Sequence, residues 1–250
     1  MSPATGARLA PLLPSPMPLY RLGPIKYGFP PITEALDDPN GLLAVGGDLH
    51  PDRLLQAYQH GIFPWFSAGE PVCWWSPDPR CVFLAKGWTP SRSLAKVLRK
   101  GHFRFTVDQC FTRVMEACAA PRAYADGTWI QPEFIRSYTV LHERGIAHSI
   151  EVWNPAGELV GGLYGLNIGR LFFGESMFSR ETDASKAAFA YLMQLCQAWD
   201  IPLVDGQVEN PHLMRLGAVL IPRHEFARWL ETHAGLPPPD WRRHPPFSPV

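Results

Sequence analysis

"LVGGLYGLNIGRLFFGESMFSRETDASKAAFAYLMQLCQAWDIPLVDGQV", residues 159–208, carries the pattern on which the fold turns. Its first ten residues and "LFFGESMF" (171–178) are apolar runs of strand length, joined by the turn "GR" (169–170). Upstream, "HSIEVWN" (148–154) reaches the first run through the hairpin-like "PAGE" (155–158). Three strands in succession predict an antiparallel meander. Thr182 or Asp183 then caps a helix in which Ala188, Tyr191, Leu192, Leu195 and Trp199 line one face at helical spacing. "PLVDGQV" (202–208) reads as a strand, "NPHLMRLG" (210–217) as a short helix, "AVLIP" (218–222) as a strand and "RHEFARWLETH" (223–233) as a final helix. The order β-β-β-α-β-α-β-α predicts an α/β (α+β) fold, a mixed sheet covered by helices.

Inside this pattern sits one residue that does not belong. With side chains alternating at period two, Leu171, Phe173, Glu175 and Met177 share one strand face. An ionised carboxylate there is costly unless something positive or hydrogen-bonding meets it. Either the fold supplies a partner or a substrate brings one. On a second strand Asp205 and Gln207 share a face, one pleat apart, with Gly206 between them small enough for a close approach. Two carboxylates and an amide then converge on one site, or Asp205 and Gln207 satisfy buried backbone groups near a strand end. Spacing leaves both open.

The first half is less regular. "NGLLAVGGDLHPDRLLQAYQHGIFPWF" (40–66) reads as a short strand, a tight Gly-Gly turn and a helix. Pro51 stands in its first turn, Leu54, Leu55 and Tyr58 on its apolar face, and Gly61 at its end. "WWSPDPR" (74–80) looks like a joint between domains. The expected organisation is a Pro-rich, poorly ordered leader at 1–28, a small N-terminal domain at 29–78, a catalytic domain at 79–235 and a Pro-rich tail at 236–250. Trp241 and Phe247 are candidates for pinning that tail to the body.

Between Arg80 and Arg104 there is no acidic residue. Arg92, Lys96, Arg99 and Lys100 fall on one helical face, with Leu94, Val97 and Leu98 on the other. A solvated face usually mixes signs, so this one suits phosphates better than water alone, an ordinary exposed basic helix being the alternative. Tryptophans cluster at Trp65, Trp74, Trp75 and Trp88, with Trp129 later; they either pack or stack on a base or sugar.

Composition removes several classes. With 46% hydrophobic and 18% charged residues, the 250-residue chain has the make-up of a soluble globular protein, and its net charge of zero makes any nucleic-acid signal local. Five cysteines, an odd number without a C-x-x-C pair, fit a reducing compartment and argue against a disulfide framework or zinc ribbon. The histidines lack metal-ligand spacing, so no metal is expected. No apolar run reaches the ~18 residues of a membrane span. Prolines break up the N-terminal apolar segment, which therefore reads as a loose leader rather than a signal peptide. A cytoplasmic protein with no membrane partner is expected.

Read in order, "GLLAVGGDLHPDRLLQAYQHGIFPWFS", "WWSPDPR", "GTWI", "HSIEVW", "LVGGLYG", "FFGESMFSR", "ASK" and "VDGQ" resemble the leucyl/phenylalanyl-tRNA–protein transferase family. The resemblance runs from about Phe29 to about Phe226, with a trace in the terminal "FSP". It implies a small N-terminal domain followed by a GNAT-like acyltransferase domain. It also implies a reaction: leucine or phenylalanine passes from leucyl-tRNA or phenylalanyl-tRNA to the α-amine of a protein beginning with Arg or Lys. This forms a peptide bond and marks the protein for N-end rule degradation. The donor ester is already activated, so no cofactor is implied.

Residue roles follow from the same resemblance. Gln207 accepts the amine's proton through its amide oxygen, and Asp205 orients and polarises that amide. Glu175 meets the cationic substrate or a ribose hydroxyl. Leu163, Phe172, Phe173, Met177, Phe189, Leu192 and Val204 match the aminoacyl pocket, while Trp65 and Trp129 match positions that hold the 3′ adenosine. The face formed by Arg92, Lys96, Arg99 and Lys100 matches the tRNA-contacting surface. A monomer is expected. Many members carry Met where Leu163 stands and Cys where Gly206 stands, which bears on pocket shape.

Three other readings compete. An acetyl-CoA-dependent N-acetyltransferase of similar fold needs a glycine-rich pyrophosphate loop, and "SRETDASK" (179–186) lacks those glycines. A glycosidase using Glu175 and Asp205 leaves the basic stretch without a purpose. A non-catalytic tRNA-binding module does the same to Glu175, Asp205 and Gln207.

Overall fold

The computed structural model describes residues 19–23, 25, 28–120 and 130–248. It has mixed α/β architecture, with an N-terminal sheet and a main seven-stranded sheet. The first is built from β1 (Tyr20–Leu22), β2 (Leu42–Gly46), β3 (Phe63–Pro64) and β4 (Cys73–Trp75), in the order β1-β2-β4-β3. Residues 20–22 correct the expectation of a leader without structure. They pair in parallel with β2 in the register Tyr20↔Ala44, and the Tyr20 hydroxyl donates to Glu34. Three residues of strand are too few to show through a Pro-rich composition.

Helix α1 (Pro51–Gln59) follows β2, with Pro51 in its first turn and the His50 ring accepting from the Asp52 N–H at 3.3 Å. It ends at Gly61, whose φ of +74° suits glycine and where a Cβ would stand 2.7 Å from a Leu230 methyl. Leu54, Ala57 and Tyr58 are buried, with Leu55 partly so.

The main sheet draws on β5 (Arg80–Leu84), β6 (Arg104–Val107), β7 (Ala147–Trp153), β8 (Leu159–Ile168), β9 (Leu171–Ser179), β10 (Leu203–Gln207) and β11 (Val219–Ile221). Their spatial order is β11-β5-β10-β9-β8-β7-β6. The antiparallel meander is β7-β8-β9. Among the described residues, the helices that cover the sheet are α2 (Arg92–Arg99), α3 (Phe111–Ala119), α4 (Pro132–Glu143), α5 (Ala184–Ala198), α6 (Pro211–Arg215) and α7 (Arg223–His233).

Both faces of the sheet are packed. On one, Leu171 and Phe173 meet residues of α3, α4 and α7 together with Tyr58 and Trp74 from the N-terminal part. On the other, Phe172 and Val204 meet α5 and Trp241. All ten residues of β8 are buried, which is why it reads as a continuous apolar run rather than an alternation. At Gly165 a Cβ would lie 2.1 Å from the Phe173 carbonyl oxygen, so neighbouring backbone fills the space a side chain would need. The "WWSPDPR" joint is tied to α7: the Arg223 N–H donates to Asp78 at 3.0 Å and its guanidinium to the Ser76 carbonyl at 2.7 Å.

Candidate active site

The site lies where two parallel strands part. Among the described residues, β9 and β10 form the parallel pair of the main sheet, and they are paired only through Leu203↔Leu171, Val204↔Phe172 and Asp205↔Phe173. Immediately beyond, each strand carries a bulge. On β9, Gly174 and Ser176 face consecutive β8 residues, which leaves Glu175 without a ladder partner. On β10, Asp205 pairs with Val82 and Gln207 with Cys81, so Gly206 is the extra residue. The cleft between the carboxyl ends of such strands is where open α/β sheets place ligands.

The bulges correct two expectations about faces. An inserted residue reverses the alternation that follows it. Leu171 and Phe173 therefore join the core beside Tyr58, whereas Met177 packs with Leu163 and Phe172 on the opposite side. Likewise Asp205 and Gln207 are separated by the Gly206 bulge rather than by one regular pleat, and Gln207 has a φ of +63°.

Glu175 owes its partners to the fold. The Tyr58 hydroxyl of α1 donates to Oε1 at 2.7 Å, the Tyr138 hydroxyl of α4 donates to Oε2 at 3.2 Å, and Gln207 Nε2 donates to Oε1 at 2.7 Å. The two tyrosine oxygens are themselves 2.5 Å apart. All three donors are uncharged. Burial accordingly pushes the Glu175 carboxyl up to about 7; the Asp205 charge adds to this, and the three hydrogen bonds oppose it. Burial, with Glu175 beside them, also pushes both tyrosines well above 10, so they remain donors.

Asp205 is spoken for. It is fully buried and takes a two-pronged contact from the equally buried Arg80, with Nε to Oδ1 at 2.9 Å and Nη2 to Oδ2 at 2.6 Å. The guanidinium lies over the rings of Phe63 and Phe226, at 4.9 and 4.5 Å. Asp205 Oδ1 also accepts the Gln207 backbone N–H at 2.9 Å. This corrects the expected contact between Asp205 and the Gln207 side chain. Asp205 holds the Gln207 backbone, and Glu175 is the carboxylate that engages the amide. Arg80 also leaves the basic stretch, since it is an interior partner.

A cavity of about 1120 Å³ opens beside these groups. Leu163, Met177, Phe189, Leu192 and Val204 line it together with Glu175, Asp205 and Gln207. Phe172 and Phe173 do not. Phe172 lies under Trp241 with ring centroids 5.6 Å apart, and Phe173 packs edge-on to Tyr58 at 5.4 Å, each drawn into a core layer by its place before the bulge. Trp65 stands at the cavity, 47% exposed, tilted against Trp75 at 5.9 Å. Trp129 falls outside the described residues.

Sequence reasoning missed Tyr58 and Tyr138 as site residues, because at helical spacing both look like core aromatics. It also missed Tyr164, which lines the cavity and whose buried hydroxyl has no hydrogen-bond partner among the described residues. Away from the cavity, Arg92, Lys96, Arg99 and Lys100 are all exposed on the outer face of α2, while Leu94 and Leu98 pack onto Ala187 and Ala190 of α5.

Similarity to known proteins bears on what the cleft does. A family described as leucyl/phenylalanyl-tRNA protein transferase matches residues 82–231, and the N-terminal domain of the same family matches 47–78. The leucyl/phenylalanyl-tRNA–protein transferase of Cellvibrio japonicus is 57% identical over 223 residues, spanning 89% of this chain and 94% of its own. That of Pseudomonas fluorescens is 58% identical over 209 residues, 84% and 92% of the two chains. That of Nitrosomonas eutropha is 53% identical over 220 residues, 88% and 94%. Among solved structures, L-PGS from Bacillus licheniformis aligns over 68% of this chain and 54% of its own, with a TM-score of 0.39 and 13% identity.

Proposed function

The chain belongs to the leucyl/phenylalanyl-tRNA protein transferase family, and we propose that it transfers leucine or phenylalanine from aminoacyl-tRNA to the α-amine of proteins beginning with Arg or Lys, in the cavity beside the Glu175–Gln207 pair. The single observation that carries the placement is the arrangement at the parting of β9 and β10. A carboxylate near neutrality, held by neutral donors, faces an amide at the mouth of an apolar cavity.

The chemistry is exchange of an ester for an amide. The acceptor nitrogen attacks the ester carbonyl, a C–N bond forms, the C–O bond to the terminal ribose breaks, and the nitrogen's proton passes to the departing oxygen. An α-amine has an ordinary pKa of about 7.7–8.0, so near neutrality it arrives mostly as the ammonium and must lose a proton first. Glu175, with its carboxyl at about 7, is matched to take that proton. With Nε2 of Gln207 engaged by Glu175, its Oε1 makes no hydrogen bond to a described residue and is the end left to accept the amine N–H. Asp205, through the Gln207 backbone, is a positioning residue.

The apolar wall formed by Leu163, Met177, Phe189, Leu192 and Val204 receives the Leu or Phe side chain. Trp65 offers an exposed face for the 3′ adenosine. The cations of α2 meet tRNA phosphates, with little reading of base sequence. We take 29–78 and 79–235 as the two domains and the second as GNAT-like, a reading supported by its mixed sheet with a parting parallel pair.

Labelled leucyl-tRNA incubated with the protein and a peptide beginning with Arg tests the proposal. Label should enter the peptide as an N-terminal amide, and the N-acetylated peptide should receive none. Label released as free leucine, or moved equally to the blocked peptide, would refute it.

A further inference from the structure

The chain's last segment is held down at two points with cations displayed between them. Trp241 is buried: it stacks on His148 with ring centroids 4.1 Å apart, meets Trp199 edge-on at 4.9 Å, and donates Nε1–H to Asn167 at 2.7 Å. Six residues on, Phe247 lies against Phe105 at 4.3 Å and Tyr191 at 5.6 Å. The Tyr191 hydroxyl donates to the Pro245 carbonyl at 2.7 Å, and the Ser248 N–H donates to Gln194 at 3.1 Å. Between these anchors the side chains of Arg242 and Arg243 are 95% and 88% exposed. Asp240, itself half-exposed, approaches each at 3.6 Å, a contact of little energetic weight at such exposure.

The second anchor gives this display its meaning. Phe247 packs in the same apolar cluster as Leu94 and Leu98, the inner face of α2. At Phe247 the tail therefore lies against the inner side of the helix whose outer face carries Arg92, Lys96 and Lys100. Those eight residues of helix span about 12 Å. Arg243, four residues from Phe247, lies within about 14 Å of it along the chain. Residues 81–107 contain no acid, and Asp240 is the one acid in 236–250. The two stretches thus meet at one apolar cluster, and each displays exposed cations, the tail held by buried Trp241 and half-buried Phe247. Arginine is the residue best suited to gripping a phosphate with two parallel N–H donors.

We propose that Arg242 and Arg243 extend the tRNA-binding surface of α2 and contact backbone phosphates of the aminoacyl-tRNA. The inference rests on the reading of α2 as a tRNA-binding face. Anchoring by buried Trp241 and half-buried Phe247 holds the backbone of this segment in place before tRNA is met, which lowers the ordering cost of binding.

The test is binding of leucyl-tRNA by the full-length protein across a salt series from about 50 to 200 mM. Each lost phosphate contact removes about one from the slope of log affinity against log salt. The Arg242→Gln, Arg243→Gln double variant should therefore have a slope shallower by about two and bind about a hundredfold more weakly at the low-salt end. Arg242→Lys with Arg243→Lys should restore the slope. An unchanged slope in the Gln variant, with a shallower slope in Arg92→Ala, Lys96→Ala, overturns this inference alone. Unchanged slopes in both overturn the reading of α2 as well. Weaker binding with an unchanged slope also overturns it, because that pattern reports damage to the fold rather than lost phosphate contacts.

Discussion

Replacing Glu175 with Gln should make the protein more stable at alkaline pH and inactive. Folding raises the Glu175 carboxyl from an ordinary 4.5 to about 7, chiefly through burial. Between those values the folded protein holds a proton that the unfolded chain has released. Stability contributed by this group is therefore fully present below about 4.5 and is lost as pH rises through about 7. At 1.36 kcal/mol per pH unit, the gap amounts to about 3 kcal/mol. The amide introduced by Glu175→Gln cannot ionise and escapes that loss. Its N–H₂ must face one of the three donors now aimed at the carboxylate, which costs about 1 kcal/mol. The variant should thus be about 1 kcal/mol less stable than wild type near pH 4.5, and about 2 kcal/mol more stable near pH 8. Urea unfolding of both proteins at several pH values reads this directly, because the difference between them cancels every other titrating group. A difference that stays flat with pH would show that Glu175 is not a strained, near-neutral carboxyl. Leucyl transfer by the variant at wild-type rate would refute its role in taking the amine's proton.

Asp205→Ala should lower stability by about 3–5 kcal/mol, because it strands the buried Arg80 guanidinium; urea midpoints measure this, and Asp205→Leu combined with Arg80→Met should recover much of it. Gly165→Ala should cost about 3 kcal/mol or more, since the new methyl would stand 2.1 Å from the Phe173 carbonyl oxygen, and a lowered melting temperature will show it. Leu163→Phe should narrow the apolar slot and lower kcat/KM for phenylalanyl-tRNA more than for leucyl-tRNA, by ~1–3 kcal/mol of relative discrimination.

What the sequence revealed was whatever repeats at a fixed period. The β7-β8-β9 meander, α5 and β10 emerge from apolar spacing, and Glu175 stands out because it breaks an apolar run. The same method failed at the two bulges, because a period-two reading assumes an unbroken ladder. That single assumption misplaced Met177 relative to Phe173; Phe172 and Phe173 were assigned to the pocket by resemblance, and both pack in core layers instead. The partners of Glu175 were hidden for another reason. Tyr58 and Tyr138 lie 117 and 37 residues away on helices, where nothing local distinguishes a hydroxyl aimed at a carboxylate from a packed ring. Arg80 heads the acid-free stretch, and charge alone carries no information about its burial. Its partner Asp205 is 125 residues distant.

The central claim is that ester and amine meet where β9 and β10 part. The most direct measurement is an experimental structure of the protein bound to leucyl-adenosine with a stable amide in place of the ester. The leucyl side chain should lie against Leu163, Met177 and Leu192, the adenine on Trp65, and the linking carbonyl carbon next to Gln207 Oε1. An analogue bound elsewhere, with the Glu175–Gln207 cleft empty, would contradict it.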